Sequence, residues 1–69
     1  MNQVTITLNG EARTLPRPRS LAGLIASLGL DPRMVVAERN RAIVRREALE
    51  QTDVEDGDQI ELVHFVGGG

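Results

Sequence analysis

The sequence ends in three glycines, which place a carboxylate at the end of a segment without side chains. Gly67, Gly68 and Gly69 follow the stretch HFV with no spacer. Because glycine has no Cβ and samples most of φ/ψ space, we expect residues 67–69 to form a thin, flexible tail. Fully extended, residues 66–69 would span about 13 Å at roughly 3.3 Å per residue, enough to enter a narrow channel in another protein. The group delivered there would be the α-carboxylate of Gly69, whose ordinary pKa of about 3.5 leaves it ionised at neutral pH.

A carboxylate presented in this way has a definite chemistry. It can attack the α-phosphate of ATP to give an acyl-adenylate, which a sulfur or nitrogen nucleophile then displaces. The alternative is an inert tail, since glycine-rich ends are often disordered without a function. The reactive interpretation is favoured because the tail leaves directly from a predicted strand, has an apolar pair beside it and is the one reactive constellation in the sequence. We therefore predict Gly69 as the acyl site, with Gly68 and Gly67 giving access to it.

The other residue types exclude most catalytic and metal-binding classes. The chain has no cysteine, so it has neither a disulfide nor a thiolate nucleophile. Its one histidine, His64, has no serine, cysteine or second acid at a recognisable spacing. Its strand phase predicts a partly buried structural or edge histidine. The acids at positions 55, 56, 58 and 61 do not match an EF-hand and predict a solvated turn. We expect no bound metal or cofactor and no intrinsic catalytic residue.

The charges are strongly segregated, although the net charge is only −2. Residues 1–46 hold all eight arginines against three acids, whereas residues 47–69 hold seven acids and no base, so the halves carry +5 and −7. Nucleic-acid binding is not favoured, because base stacking needs aromatic platforms and Phe65 is the one aromatic residue. We expect the acidic half to steer a basic partner surface instead.

Length and hydropathy predict a single small domain with no membrane association. The chain has 69 residues, near the lower limit at which one core can hold a fold. Its longest uninterrupted apolar run is residues 34–37, far short of a signal peptide or a membrane span. We expect a cytoplasmic protein with a folded domain at residues 1–66 and the tail at residues 67–69.

Hydrophobic periodicity predicts the order hairpin, helix, strand, strand, helical turn, strand. Residues 4–8 alternate as a half-buried strand, Asn9-Gly10 forms a hairpin turn, and residues 11–15 return as the second strand. After a proline-containing loop, Ser20 caps a helix whose apolar stripe runs to residue 28 and which Gly29 closes. MVVAE and AIV predict two strands separated by the turn RNR, REALEQ predicts a helical turn, and QIELVHFV predicts the last strand.

A hairpin followed by one helix and further strands indicates an α+β fold, a single sheet with one face covered by the helix. In the last strand, Ile60 and Leu62 share one face while Val63 and Phe65 share the other. If Ile60 and Leu62 face the helix, Val63 and Phe65 form an apolar pair on the open face, immediately before the tail. We predict these two residues as a docking surface for a partner.

The run VVAERNRAIVRRE, followed by DGDQIELVHFVGGG, resembles the ThiS-type sulfur-carrier proteins of thiamin biosynthesis. The similarity extends from VTITLNGE through the helix LAGLIASLGL to the last residue, and it is most specific in ERN and in the ending. The resemblance implies the ubiquitin-like β-grasp fold, with a mixed five-stranded sheet in the order 2-1-5-3-4. Arg45 stands where members of the family often have proline, and Gly67 is shared with only part of the family.

The resemblance also implies a function and a set of partners. A ThiF-like adenylyltransferase would use ATP to adenylate Gly69, a sulfur donor such as a cysteine desulfurase would supply sulfur for a thiocarboxylate, and a ThiG-like thiazole synthase would accept it. The protein would then be a co-substrate and not an enzyme. Two alternatives remain at this point: the small subunit of molybdopterin synthase, which often has proline before its diglycine, and a β-grasp binding module with an inert tail.

Overall fold

The first two strands form the predicted hairpin. The computed structural model describes residues 2–65. Strand β1 (Gln3–Leu8) pairs antiparallel with β2 (Glu11–Pro16). Asn9 and Gly10 make the turn with φ angles of 49° and 83°, the left-handed conformation that a two-residue hairpin of this kind requires. Strand β2 is one residue longer than expected, because Pro16 pairs with Gln3 on an edge strand, where a missing N–H is tolerated.

Helix α1 (Leu21–Ser27) begins and ends where the sequence predicts. The Ser20 Oγ accepts a hydrogen bond from the backbone N–H of Gly23 at 3.1 Å, which satisfies one of the unpaired donors of the first turn. At the other end, Gly29 has a φ of 77° and its N–H donates to the carbonyl of Ala26. The helix buries Leu21, Leu24 and Ile25.

Residues 32–65 contain three more strands and two short 3₁₀ helices. The 3₁₀ helix at Pro32–Met34 leads into β3 (Val35–Arg39), which is followed by β4 (Ala42–Val44), a 3₁₀ helix at Arg46–Gln51 and β5 (Gln59–His64). The turn between β3 and β4 has two residues, Asn40 and Arg41, and not the three that RNR suggested, because Arg39 still pairs with Ala42.

The five strands form one mixed sheet in the order β2-β1-β5-β3-β4. Strands β1 and β5 lie parallel in its middle, and every other neighbouring pair is antiparallel. With a single α-helix packed on one face, this is the β-grasp arrangement, and the fold and strand order that the resemblance implied are confirmed.

The core lies between the sheet and α1. Alternate residues of the strands point toward the helix, where the fully buried side chains include Val4, Ile6 and Ile60. Leu49 and Val54, from the segment between β4 and β5, belong to the same buried cluster. None of the helices in residues 2–65 buries the large hydrophobic residues of the opposite face, which we call the open face.

Candidate functional site

An apolar pair is exposed at the end of the last strand, with Val63 in β5 and Phe65 one residue beyond it. Ile60 and Leu62 are buried, with 1% and 8% of their surface exposed, whereas Val63 and Phe65 are 57% and 53% exposed. The predicted strand phase is therefore confirmed. The docking role of Val63 and Phe65 remains a prediction, which their exposure permits.

Two further apolar side chains enlarge this pair to an open-face patch, defined by Val36, Ile43, Val63 and Phe65. Val36 lies directly opposite Val63 in the β3–β5 register, and Ile43 is 70% exposed on neighbouring β4. Sequence reasoning did not identify Val36 and Ile43. The alternation in MVVAE could have identified Val36, because Val35 and Ala37 face the core and the valine between them must face outward.

Two carboxylates lie among the apolar side chains of the patch. Glu38 and Glu61 are direct partners in the β3–β5 register, and Glu38 also lies opposite Ile43. None of the ion pairs in residues 2–65 involves either glutamate. Like charges opposite each other in a sheet repel, and a cation placed between them would relieve that repulsion. The patch thus suits a partner surface that combines apolar side chains with arginine or lysine.

The chain leaves the sheet beside this patch. The backbone N–H of Phe65 donates to the carbonyl of Met34 at 2.8 Å, which holds residue 65 against the beginning of β3. The predicted acyl site Gly69 and its access residues Gly68 and Gly67 lie outside the described residues, as does residue 66 of the predicted last strand. The strand itself ends at His64, so its predicted extension through Phe65 is wrong. What the structure places is the point from which they continue.

A buried carboxylate holds the β3–β4 turn against the loop before β5. Asp58 is only 6% exposed. Its carboxylate accepts hydrogen bonds from the Arg39 Nε at 2.7 Å, the Asn40 Nδ2 at 3.1 Å and the backbone N–H of Glu55 at 2.8 Å. Burial raises the pKa of Asp58, but the bonds from Arg39, Glu55 and Asn40 outweigh it and keep the pKa below its ordinary value. Arg39 and Asn40 of the motif ERN therefore have a structural role.

The same loop is also fixed to β1. The Asp56 carboxylate accepts a hydrogen bond from the backbone N–H of Thr5 at 2.7 Å, and the N–H of Gly57 donates to the Thr5 carbonyl at 2.8 Å. The expected solvated acidic turn is accordingly wrong for Asp58. That side chain is turned inward because Arg39 and Asn40 supply the donors that a buried carboxylate needs.

The partial burial predicted for His64 is also wrong, because this side chain is exposed. His64 ends β5 opposite Val35, and β1 no longer flanks the strand there, since the β1–β5 register ends at Ile60. Within residues 2–65, no group of three or more potential metal ligands comes together. The same part of the chain contains no helix of the length and hydrophobicity that crossing a membrane requires.

Comparisons with known proteins agree with this architecture. The family model of the ThiS family matches residues 6–69. The sulfur carrier protein ThiS of Bacillus subtilis is 42% identical over 50 residues, which cover 72% of this chain and 76% of that protein. The crystal structure of a thiamine biosynthesis protein, ThiS, from Geobacter metallireducens superimposes with a TM-score of 0.79 at 32% identity, covering 96% of this chain and 100% of the other.

A longer relative carries a similar segment. A thiazole synthase of Magnetococcus marinus is 44% identical over 64 residues, which are 93% of this chain but 20% of that protein. The chain thus spans about a fifth of the length of this relative.

Proposed function

The chain belongs to the ThiS family, and from this premise we propose that it is a sulfur carrier for thiamin biosynthesis, a protein co-substrate that other enzymes act on. The observation that carries the proposal is the family match, which runs from the middle of β1 through the three glycines to residue 69. The small-subunit role in molybdopterin synthase is not favoured, because the match is to the ThiS family.

The proposed chemistry takes place at Gly69. The α-carboxylate attacks the α-phosphorus of ATP, forming an acyl-adenylate and releasing pyrophosphate. Hydrosulfide, or sulfur delivered at that oxidation level by a donor such as a cysteine desulfurase with a reductant, then attacks the acyl carbon. The C–S bond forms as the C–O bond to AMP breaks, and a proton is released. The product is a thiocarboxylate, which keeps the sulfur nucleophilic and prevents its loss by diffusion.

The partners follow from the same chemistry. A ThiF-like adenylyltransferase would bind ATP and activate Gly69, so the carrier itself needs no bound cofactor. A thiazole synthase would accept the sulfur. The segment of the Magnetococcus marinus protein that resembles this chain supports that assignment, because it lies within a polypeptide named thiazole synthase. Physical linkage of two reacting proteins raises their effective concentration.

The open-face patch is the proposed docking surface for these enzymes. It lies beside the point where the chain continues toward Gly69, and the apposed Glu38 and Glu61 favour partners with basic residues at the centre of the contact. Gly68 and Gly67, without side chains, would then let the carboxylate enter a narrow active-site channel.

Intact mass spectrometry tests the proposal directly. The protein is incubated with ATP, a ThiF-like adenylyltransferase and a sulfur source, beside a variant that lacks Gly69. The expected result is a mass gain equal to sulfur minus oxygen, absent from the variant. If the mass does not change while the same enzyme converts an authentic carrier in a parallel reaction, the tail is inert and the chain is a binding module.

A further inference from the structure

A second surface lies on the other side of the molecule, where an open groove of about 470 Å³ runs between β2 and α1. Its lining includes the apolar side chains of Leu15, Leu24 and Leu28, and Gly23 leaves space in its helical wall. Val63 and Phe65 do not contribute to it, so the groove is separate from the open-face patch.

The rim of the groove carries positive charge that no acidic side chain within residues 2–65 pairs with. Arg13, Arg17 and Arg19 line it, and no aspartate or glutamate does. The ion pairs within residues 2–65 involve other arginines, Arg33 and Arg39. Among the contacts made inside the described part of the chain, Arg17 is the one rim arginine whose side chain is anchored, through a hydrogen bond of 3.4 Å from its Nη1 to the carbonyl of Val54. The groove therefore attracts carboxylates around an apolar floor.

The outer edge of β2 has hydrogen-bonding groups to offer beside the groove. In the described part of the chain, β2 pairs with β1 alone. The N–H of Arg17 donates to the carbonyl of Asn2 at 2.8 Å, so Asn2 and Arg17 are a hydrogen-bonded cross-strand pair. Hydrogen-bonded and non-hydrogen-bonded pairs alternate along an antiparallel ladder, which places Ala12 and Thr14 in non-hydrogen-bonded pairs with β1. The N–H and C=O groups of Ala12 and Thr14 consequently point away from β1, ready to pair with another strand.

From these observations we propose that the β2–α1 groove binds an extended acidic segment of a partner protein, which adds to β2 as a sixth strand. Its alternate side chains, which must be apolar, fill the groove above Leu15 and Leu24, because successive residues of a strand point to opposite faces. Carboxylates on either side of the apolar stretch pair with Arg13 and Arg19. A helical occupant would leave the N–H and C=O groups of Ala12 and Thr14 unpaired, so an extended segment is the better fit.

The test uses NMR of the ¹⁵N-labelled full chain and a synthetic peptide with the centre Val-Ile-Val-Ile flanked on both sides by aspartates and glutamates. We expect the amide signals of Ala12 and Thr14 to shift, together with those of Leu24 and Leu28. Hydrogen exchange of the Ala12 and Thr14 amides should slow about tenfold or more as they become paired. A peptide with lysines in place of the acids should not bind.

Matched variants separate the contributions. The double variant Arg13→Glu with Arg19→Glu should weaken peptide binding about tenfold or more, whereas Arg45→Glu with Arg46→Glu, which makes the same charge change outside the groove, should leave it within about twofold. Ala12→Pro removes one outward N–H without breaking the β1 ladder and should also weaken binding. A dispersed spectrum of each variant verifies its fold.

Four results would overturn the proposal. The first is no shift at saturating peptide, and the second is an equal loss of binding in both charge-reversal variants. The third is a shift confined to Val63 and Phe65, which would place the peptide on the open-face patch. The fourth is a shift of Ala12 and Thr14 on raising the protein concentration alone, which would identify a second copy as the occupant. None of them affects the proposed carrier chemistry, which the mass measurement tests separately.

Discussion

Replacing Asp58 by asparagine should remove a large part of the stability of this domain. The carboxylate is 6% exposed and accepts bonds from Arg39, Asn40 and the N–H of Glu55. An asparagine offers one acceptor oxygen, and its amide would face donors. The Arg39 guanidinium would lose its 2.7 Å partner and keep only the contact of 4.0 Å with the exposed Glu55 carboxylate. Removing one member of such a buried pair costs about 3–5 kcal/mol, which we lower to about 2–4 kcal/mol because the Arg39 side chain is 29% exposed.

The cost of Asp58→Asn is large relative to the free energy of unfolding of the whole domain. At roughly 0.05–0.15 kcal/mol per residue, 69 residues give a free energy of unfolding of about 3–10 kcal/mol. Thermal unfolding followed by far-UV circular dichroism should show the melting temperature of Asp58→Asn lowered by about 8–32 °C, at roughly 4–8 °C per kcal/mol. Asp53→Asn, the same chemical change at an exposed position of the acidic half, is the matched control and should change little.

The pH dependence provides the more stringent test. Because the pKa of Asp58 is lower in the folded state than in the unfolded chain, its contribution is present above the unfolded pKa of about 3.9. It is lost as the pH falls through the folded pKa. The difference between wild type and Asp58→Asn should therefore be full at pH 7 and shrink below about pH 4. A difference below about 0.5 kcal/mol at pH 7, or one that is unchanged at pH 3, would refute the role assigned to this carboxylate.

Three further predictions, tested with four substitutions, concern separate parts of the structure. Phe65→Ser should change the free energy of unfolding by less than about 1 kcal/mol while weakening adenylyltransferase binding in a titration. Leu62→Ala in the adjacent core should instead cost about 2–4 kcal/mol of stability. A large stability loss for Phe65→Ser would contradict a docking role. Gly23→Ala should raise the free energy of unfolding by about 0.5–1 kcal/mol in chemical denaturation, because alanine is the better helix former. The added Cβ fits, since it would meet the Ser20 Oγ at an ordinary 3.6 Å. A loss of stability would show that the helix cannot accept this Cβ. Asn9→Ala should cost about 1–3 kcal/mol, because it removes both a residue suited to a positive φ and the 2.8 Å bond from the Leu62 N–H to the Asn9 Oδ1, and unchanged stability would disprove that contribution.

Much of the fold could be predicted because local signals agree with one another. Asn9-Gly10 fixes the hairpin, Ser20 and Gly29 bound the helix, and alternation fixes which face of β5 is buried. The order of strands in the sheet was different, since it came from the resemblance to a family. Pairing between β1 and β5 joins residues far apart in sequence, and periodicity does not encode it.

The errors have a common physical cause. The sequence predicts a solvated Asp58 and a partly buried His64. The observed burial of each side chain is determined instead by residues that are distant in the sequence. Arg39 and Asn40 approach Asp58 from another hairpin, while β1 stops too early to flank His64. A sequence window around either residue contains none of those partners. The acyl site at Gly69 lies outside the described residues and remains a prediction.

The central position of β5 also determines how the domain can fold. Thr7 pairs with Gln59 across nearly the whole chain, so the middle of the sheet cannot close until the last strand is available. Contacts of such high sequence separation slow folding, because the entropy of a long loop is lost before the pairing compensates for it. During synthesis, the edge of β1 that faces away from β2 therefore stays unpaired until residues 59–64 have emerged from the ribosome. The open-face patch is assembled in the same step, because Val63 reaches Val36 only when β5 inserts.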